Sequence, residues 1–417
     1  MRPLFHFTAP TGWINDPHGI VWRAGRYHAF FQYVPDSMVW DLGCRWGHAT
    51  GPDLLSLIAT SPALEPGDGD DGIWTGSLVV DDAGDATILY TSVRSDNPDA
   101  GRIRVARPTD DGWERWEKGP VVLTPPADLD LVAFRDPFIT RDVAGWRMLV
   151  GGGLRDGTAL ALGYRSIDLE RWEPEGVVAS RSRHETDGTG TGAIWECPQL
   201  VELDGRHVLI TSVWTDGVLD GAGYGVGRLR DGRFEAGRWG RLSFGPSYYA
   251  PSFYRDAAGR PCLLFWMRGV RDESENWNGA HSIPYLLSLD GDRLVVTPHP
   301  DLDRYLGTAA PAPDGTVIPD GAADLRWGPA AGDTMRLSAG GQQVLSVAAE
   351  PACVVLFAVD GTSSMPWSGG PLRIVLDGPV VEIVSADGVL GGALAATSAE
   401  LTLTASGPAP VLRALRR

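Results

Sequence analysis

The chain has 417 residues, 43% hydrophobic and 21% charged, the make-up of an ordinary folded protein and too long for one compact core. Its formal net charge of -17 argues against nucleic acid and acidic membrane surfaces as partners, because both call for basic patches. No stretch approaches the ~20 apolar residues of a membrane span, and Cys44, Cys197, Cys262 and Cys353 form no closely spaced pair, so neither a zinc site nor a disulfide framework is expected.

The first ten residues hold one arginine and no sustained apolar run, so the expectation is no signal peptide and a cytoplasmic location. From there a repeat takes over. Gly25, Gly84, Gly145, Gly205 and Gly259 each open a run that turns apolar, and they lie 59, 61, 60 and 54 residues apart. Short apolar runs separated by Gly, Asp and Pro turns, at a period near 60, predict four-stranded sheets arranged radially. An echo supports the period: Arg115-Trp116-Glu117 and Arg171-Trp172-Glu173 recur 56 residues apart, and their tryptophans are expected to pack the blades. The expected fold is all-β, a five-bladed β-propeller over residues 1–308. Ala309 to Gly321 reads as a linker, rich in Ala, Pro, Gly and Asp. Beyond it, Leu372–Leu376, an Asp377-Gly378-Pro379 turn and Val380–Val384 read as a hairpin. A small C-terminal β-sandwich is expected over 322–417.

Nine residues before the repeated glycines stand Asp16, Thr75, Asp136, Glu196 and Ala250. Equivalent positions on the innermost strands of a propeller point at one central volume, so the three carboxylates should converge there. With blades ~72° apart, Asp16 and Glu196 face each other and Asp136 sits beside Glu196. Facing carboxylates are what glycoside hydrolysis requires, one to attack and one to protonate the leaving oxygen. A third can hold a sugar hydroxyl and stabilise developing positive charge. Arg135, if close, would keep Asp136 ionised and suit it to stabilisation, while Trp195 and Cys197 would give Glu196 apolar surroundings that suit a general acid. Asp16 is left as nucleophile. Asp before Pro is also an ordinary turn signal, but that does not account for three carboxylates at one repeat position.

Trp13-Ile14-Asn15-Asp16-Pro17-His18-Gly19, Phe134-Arg135-Asp136-Pro137 and Trp195-Glu196-Cys197-Pro198 closely resemble the three signature motifs of glycoside hydrolase family 32. This is the family of invertases, fructan hydrolases and related β-fructosidases, and the resemblance runs from about Trp13 to Tyr305. It implies a five-bladed propeller and a retaining mechanism, with Asp16 as nucleophile, Asp136 as transition-state stabiliser and Glu196 as acid/base. It also implies substrate contacts from Asn15, Gln32, Trp40, Trp74, Thr75 and Arg135, with Trp277 as a further aromatic. No metal or organic cofactor is implied. His18 and Tyr285 depart from the family pattern; a turn role is expected for the first, and the second leaves one edge of the site undefined. The expected activity is release of terminal β-D-fructofuranosyl units from sucrose or short fructo-oligosaccharides. Fructan exo-hydrolysis of levan or inulin, fructosyl transfer, an inverting hydrolase of arabinosides and xylosides, and a non-catalytic sugar-binding propeller are the alternatives. The polar loop from Arg181 to Gly192 is expected to overhang the channel, where it could gate long substrates or, alternatively, its arginines could meet a phosphate; a solvated loop without substrate contact is the reading favoured over both.

Overall fold

The computed structural model describes residues 2–185, 189–395 and 400–416. Apart from two short 3-10 turns, Pro300–Tyr305 and Pro319–Gly321, its regular elements are all strands. No helix among the described residues is long and apolar enough to cross a membrane.

The second, third and fourth repeats each form a four-stranded antiparallel sheet with strands in sequence order. These sheets begin at the strands Gly72–Val80, Leu131–Asp142 and Ile194–Leu203. The first and fifth repeats are fused into a nine-stranded sheet, joined where Gly12-Trp13 pairs in parallel with Trp277-Asn278. The repeated glycines explain the period. All five have positive φ, from 73° at Gly205 to 120° at Gly145, a conformation that costs glycine nothing. In the first and fourth repeats the turn is a two-residue loop, Ala24-Gly25 or Asp204-Gly205, with φ positive at both residues. That loop matches the twist of the strands it joins. The echoed tryptophans are likewise equivalent: the Trp116 and Trp172 indoles both donate to the carbonyl three residues back, at 2.9 and 3.2 Å, and both pack on sheet cores.

The first strands of the five repeats are mutual neighbours. Gly12–Arg23 lies against Gly72–Val80, which lies against Leu131–Asp142; next come Ile194–Leu203 and Tyr248–Arg255, which returns to Gly12–Arg23. Each of these strands loses register with its partner at an equivalent place: between Ile14 and Pro17, Trp74 and Gly76, Arg135 and Phe138, Glu196 and Gln199, and Tyr249 and Ser252; the first and third break register once more, between His18 and Val21 and between Leu131 and Ala133. A bulge re-aims the side chains that flank it. Four of the equivalent bulges contain the residue counted from the glycines, and that of the fourth repeat begins directly after Glu196, which still pairs with Ser212.

The C-terminal part forms a six-stranded sheet and, with Ser243–Phe244 from the end of the fourth repeat added in parallel at its edge, a seven-stranded one, around a shared core that includes Trp327, Leu345, Leu356 and Ile374. The predicted hairpin is present, Leu372–Asp377 paired with Val380–Ser385. The linker reading needs correction. Ala310–Pro311 and Thr316–Ile318 are strands that pair with Val411–Ala414 and Leu401–Ala405, so this segment closes sheet edges. Nor do the two parts have separate interiors: Phe265, Trp277 and Tyr285 share one core with Val375, Val380 and Val389.

Candidate active site

The five bulges gather the predicted residues. Asp16 is gripped from three sides: Thr75 Oγ1 donates to its Oδ2 at 2.8 Å, Asn15 Nδ2 to its Oδ1 at 3.1 Å, and Gln32 Nε2 approaches at 3.5 Å. Gln32 also donates to Thr75 at 2.5 Å, and the Trp13 indole fixes Asn15 at 3.0 Å. Asp136 has a positive φ of 63°, as have Cys197 at 48° and Ala250 at 45°. Three non-glycine residues in this conformation around one point mark strain stored at a site. The Asp136 amide donates to Thr91 Oγ1 at 2.8 Å, and its carboxylate accepts from the Cys197 amide at 3.0 Å. The Cys197 thiol lies 3.7 Å from an oxygen of Asp136 and 3.7 Å from one of Asp16, which brings the two carboxylates together.

Glu196 completes the group. Tyr249 Oη donates to its Oε2 at 2.6 Å and Arg135 Nη1 to its Oε1 at 3.2 Å. Its surroundings are therefore polar. The apolar flank expected from Trp195 is absent, because successive side chains of a strand point to opposite faces and Trp195 is fully buried in the sheet core with its indole on Thr191 O. Arg135 also differs from expectation: it pairs with Glu196 and, at 2.9 Å, with Asp99 at the rim. Its guanidinium lies 4.9 Å from the Trp74 ring and 5.5 Å from the Trp214 ring.

Electrostatics follow from crowding three acids, of which Asp136 is buried and Asp16 and Glu196 partly so. Burial, and next the charge of Glu196, raise Asp16 to about 6 against the donors Thr75 and Asn15. Asp136 is raised too, by burial first and then by Glu196; Arg135 pulls the other way and is outweighed. The expectation that Arg135 would keep Asp136 ionised thus has the right sign for one interaction and the wrong net result. Burial and the neighbouring carboxylates hold the Cys197 thiol and the Tyr249 phenol protonated, so Cys197 is a small packing and donor group and Tyr249 a permanent donor.

Of the aromatics, Trp74 is buried and Trp40 half-exposed against it, ring centroids 5.8 Å apart, which leaves Trp40 free to meet a ligand. Trp277 does not reach the site; it is fully buried in the main core. His18 lies in the Gly12–Arg23 strand rather than a turn, its ring 4.0 Å from Trp46, and burial, then His281, keep it neutral. Tyr285 points away from the carboxylates to the C-terminal hairpin, where its hydroxyl donates to Glu382. In the loop from Arg181 to Gly192, residues 186–188 lie outside the described residues; Arg183 is paired with Asp216 at 2.6 Å and Arg181 stacks 5.0 Å from the Trp239 ring. Beneath the carboxylates runs a cavity of about 200 Å³ lined by His18, Ser77, Gln199 and Ser252 among others. One group of potential metal ligands exists among the described residues, Asp256, Cys262 and His299. The Arg260 guanidinium sits in it, 2.6 Å from Asp256 and 3.1 Å from His299, and supplies the positive charge a cation would bring.

The sequence reading missed Tyr249, Asp99 and Trp214. A signal for Tyr249 was there: it precedes Ala250 as Asn15, Trp74 and Arg135 precede Asp16, Thr75 and Asp136.

The model of the glycosyl hydrolases family 32 N-terminal domain matches residues 6–298. The chain belongs to glycoside hydrolase family 32. Among its relatives in the family, a sucrose-6-phosphate hydrolase of Escherichia coli is 31% identical over 319 residues, covering 71% of this chain and 64% of that protein. A raffinose invertase of Escherichia coli is 32% identical over 301 residues, 70% of this chain and 56% of its own length. The chain therefore spans less than two thirds of these relatives. Family 32 structures share its fold: a Bombyx mori β-fructofuranosidase superposes with a TM-score of 0.84 at 24% identity, covering 100% of this chain and 94% of that one. The fructan 1-exohydrolase IIa of Cichorium intybus gives 0.80 at 20% identity, covering 100% and 97%.

Proposed function

We propose that this family 32 protein is a retaining glycoside hydrolase that releases terminal β-D-fructofuranosyl units from sucrose or short fructo-oligosaccharides. We read the sheets as a five-bladed β-propeller, residues 1–308, followed by a β-sandwich, residues 322–417; the ring of neighbouring first strands supports the first and the paired C-terminal sheets the second. The observation that carries the function is the convergence of Asp16, Asp136 and Glu196 on equivalent bulges, one carboxylate held by neutral donors and another by a phenol and a guanidinium.

Chemistry follows from those partners. Asp16 attacks the anomeric C2 of the fructosyl unit as Glu196 protonates the leaving oxygen, giving a covalent fructosyl-enzyme. Glu196, now a base, takes a proton from water, which displaces Asp16 and retains configuration. Burial and the charge of Glu196 raise Asp136, so the cluster keeps a proton beside Glu196. Asp136 takes the sugar hydroxyls and, once it has given up the proton that burial favours, stabilises charge at C2. Asn15, Gln32, Thr75 and Arg135 offer donors to vicinal hydroxyls, and Trp74 and Trp40 flat faces for sugar C–H groups.

Fructose release from sucrose, sucrose 6-phosphate, a short inulin-type oligosaccharide and levan tests this, with Asp16→Asn as control. Release from any of them, abolished in the variant, supports the reading and ranks the leaving groups. A folded protein silent on all four defeats it. Fructosylated products in place of free fructose would reassign it as a transferase.

A further inference from the structure

Tyr248 and Tyr249 are neighbours on one strand, and their side chains face opposite ways. Tyr249 reaches inward to Glu196 at 2.6 Å. Tyr248 reaches outward, is fully buried, and donates to Glu382 Oε2 at 2.5 Å on the C-terminal hairpin. The same carboxylate accepts from Tyr285 Oη on Oε2, and from the Ile283 amide at 2.8 Å and His6 Nε2 at 2.6 Å on Oε1. His6 Nδ1 meets Asp377 at 2.8 Å, and Tyr248 and Tyr285 hydroxyls are 2.7 Å apart. Glu382 is thus a fully satisfied buried carboxylate held by three separate segments of chain.

The strand needs such an anchor at this spot. Its pairing with Pro261–Asp272 breaks between Tyr249 and Ser252, and Ala250 has a φ of 45°. The ladder therefore does not hold the chain just beyond Tyr249. Around the Tyr249 ring are Trp266, at 6.3 Å in an edge contact, and the Arg268 guanidinium at 4.8 Å; both fix its tilt but not its depth.

We propose that Glu382 is a positioning residue for the acid/base: by holding Tyr248 it sets the strand so that the Tyr249 hydroxyl bears on Glu196. The C-terminal hairpin then belongs to the catalytic apparatus although it touches no substrate. This rests on the reading of Glu196 as the proton donor. The charged and titratable groups facing Glu196 are Arg135, Asp136, Asp16 and Tyr249, with Arg268 behind the phenol. Those facing Glu382 are His6, Tyr248 and Tyr285, with Asp377 beyond His6.

The test compares kcat/KM for sucrose, whose leaving oxygen needs a proton, with that for p-nitrophenyl β-D-fructofuranoside, whose leaving group does not. For Glu382→Gln the expected loss is about 10-fold or more on sucrose, with less than about 2-fold on the aryl fructoside. Tyr248→Phe, a gentler variant that keeps the buried charges balanced, should show the same split at about 3- to 10-fold. Tyr248→Phe added to Tyr249→Phe should cost nothing further, because both act through one hydrogen bond. Equal losses on both substrates, or none, overturn the proposal. If the wild type cleaves neither fructoside, the substrate reading has failed, and a crystal structure of Tyr248→Phe decides the positioning separately. A Tyr249–Glu196 distance longer than 2.6 Å supports it, and an unchanged distance overturns it.

Discussion

His6 ties the N-terminal segment to the C-terminal hairpin by a proton, and pH should loosen that tie. The imidazole is fully buried between Asp377, at 2.8 Å, and Glu382, at 2.6 Å. Burial alone would lower its pKa, but the hydrogen bonds it donates to the two carboxylates, and their charge, raise it from 6.5 to about 9. A group raised on folding contributes stability that is complete below its unfolded value and vanishes as pH climbs through its folded value. Here the window runs from 6.5 to about 9. At 1.36 kcal/mol per pH unit the contribution at pH 6 is ~3 kcal/mol, which for a chain of this length is about 3–6 °C in melting temperature. Thermal unfolding of the wild type and His6→Gln, from pH 6 to 10, measures it. Asp16 and Asp136 titrate in both proteins and cancel in the difference. The gap should be widest at pH 6 and close above pH 9. Parallel curves across that range would refute the charged His6 clamp.

Three further outcomes are expected. Asp136→Asn relieves a buried carboxylate whose pKa is raised by burial and by Glu196, so above the ordinary carboxylate range it should stabilise the fold, by ~1–3 kcal/mol at pH 8, while activity collapses; a lower melting temperature would contradict this. Trp277→Ala should destabilise by ~3–5 kcal/mol through the cavity it leaves in the core, with the KM of the surviving folded protein near normal. Trp40→Ala should do the reverse, raising KM with stability within ~0.5 kcal/mol, and thermal melts beside steady-state kinetics separate the two.

What was legible in the sequence was whatever the chain repeats locally. A glycine at each hairpin turn fixes the register of the strand pair, and counting back from it lands on the bulge that aims each carboxylate. The 372–384 hairpin was legible for the same reason, since alternation and turn lie side by side in the sequence. Illegible features depend on partners far along the chain. His6 meets Asp377 across 371 residues, and nothing around either residue announces the other. Trp277 reads like a loop aromatic until the parallel pairing with Gly12 shows that it is walled in. Ala310–Pro311 looks like a spacer because its strand character comes wholly from Val411–Ala414. The Asp136 error was energetic: Arg135 is adjacent in sequence, yet burial and two other acids outweigh it. Tyr249 lies within reach of the repeat arithmetic, but its neighbour Ala250 carries no charge to mark the position.

The central claim is a covalent fructosyl bond to Asp16. Glu196→Gln, mixed with p-nitrophenyl β-D-fructofuranoside, forms the intermediate without needing an acid but lacks the base to hydrolyse it. Mass spectrometry of the quenched protein should find one added fructosyl residue, and peptide mapping should place it on the segment containing Asp16. An unmodified protein that nonetheless releases nitrophenol, or an adduct on any other carboxylate, would contradict the account.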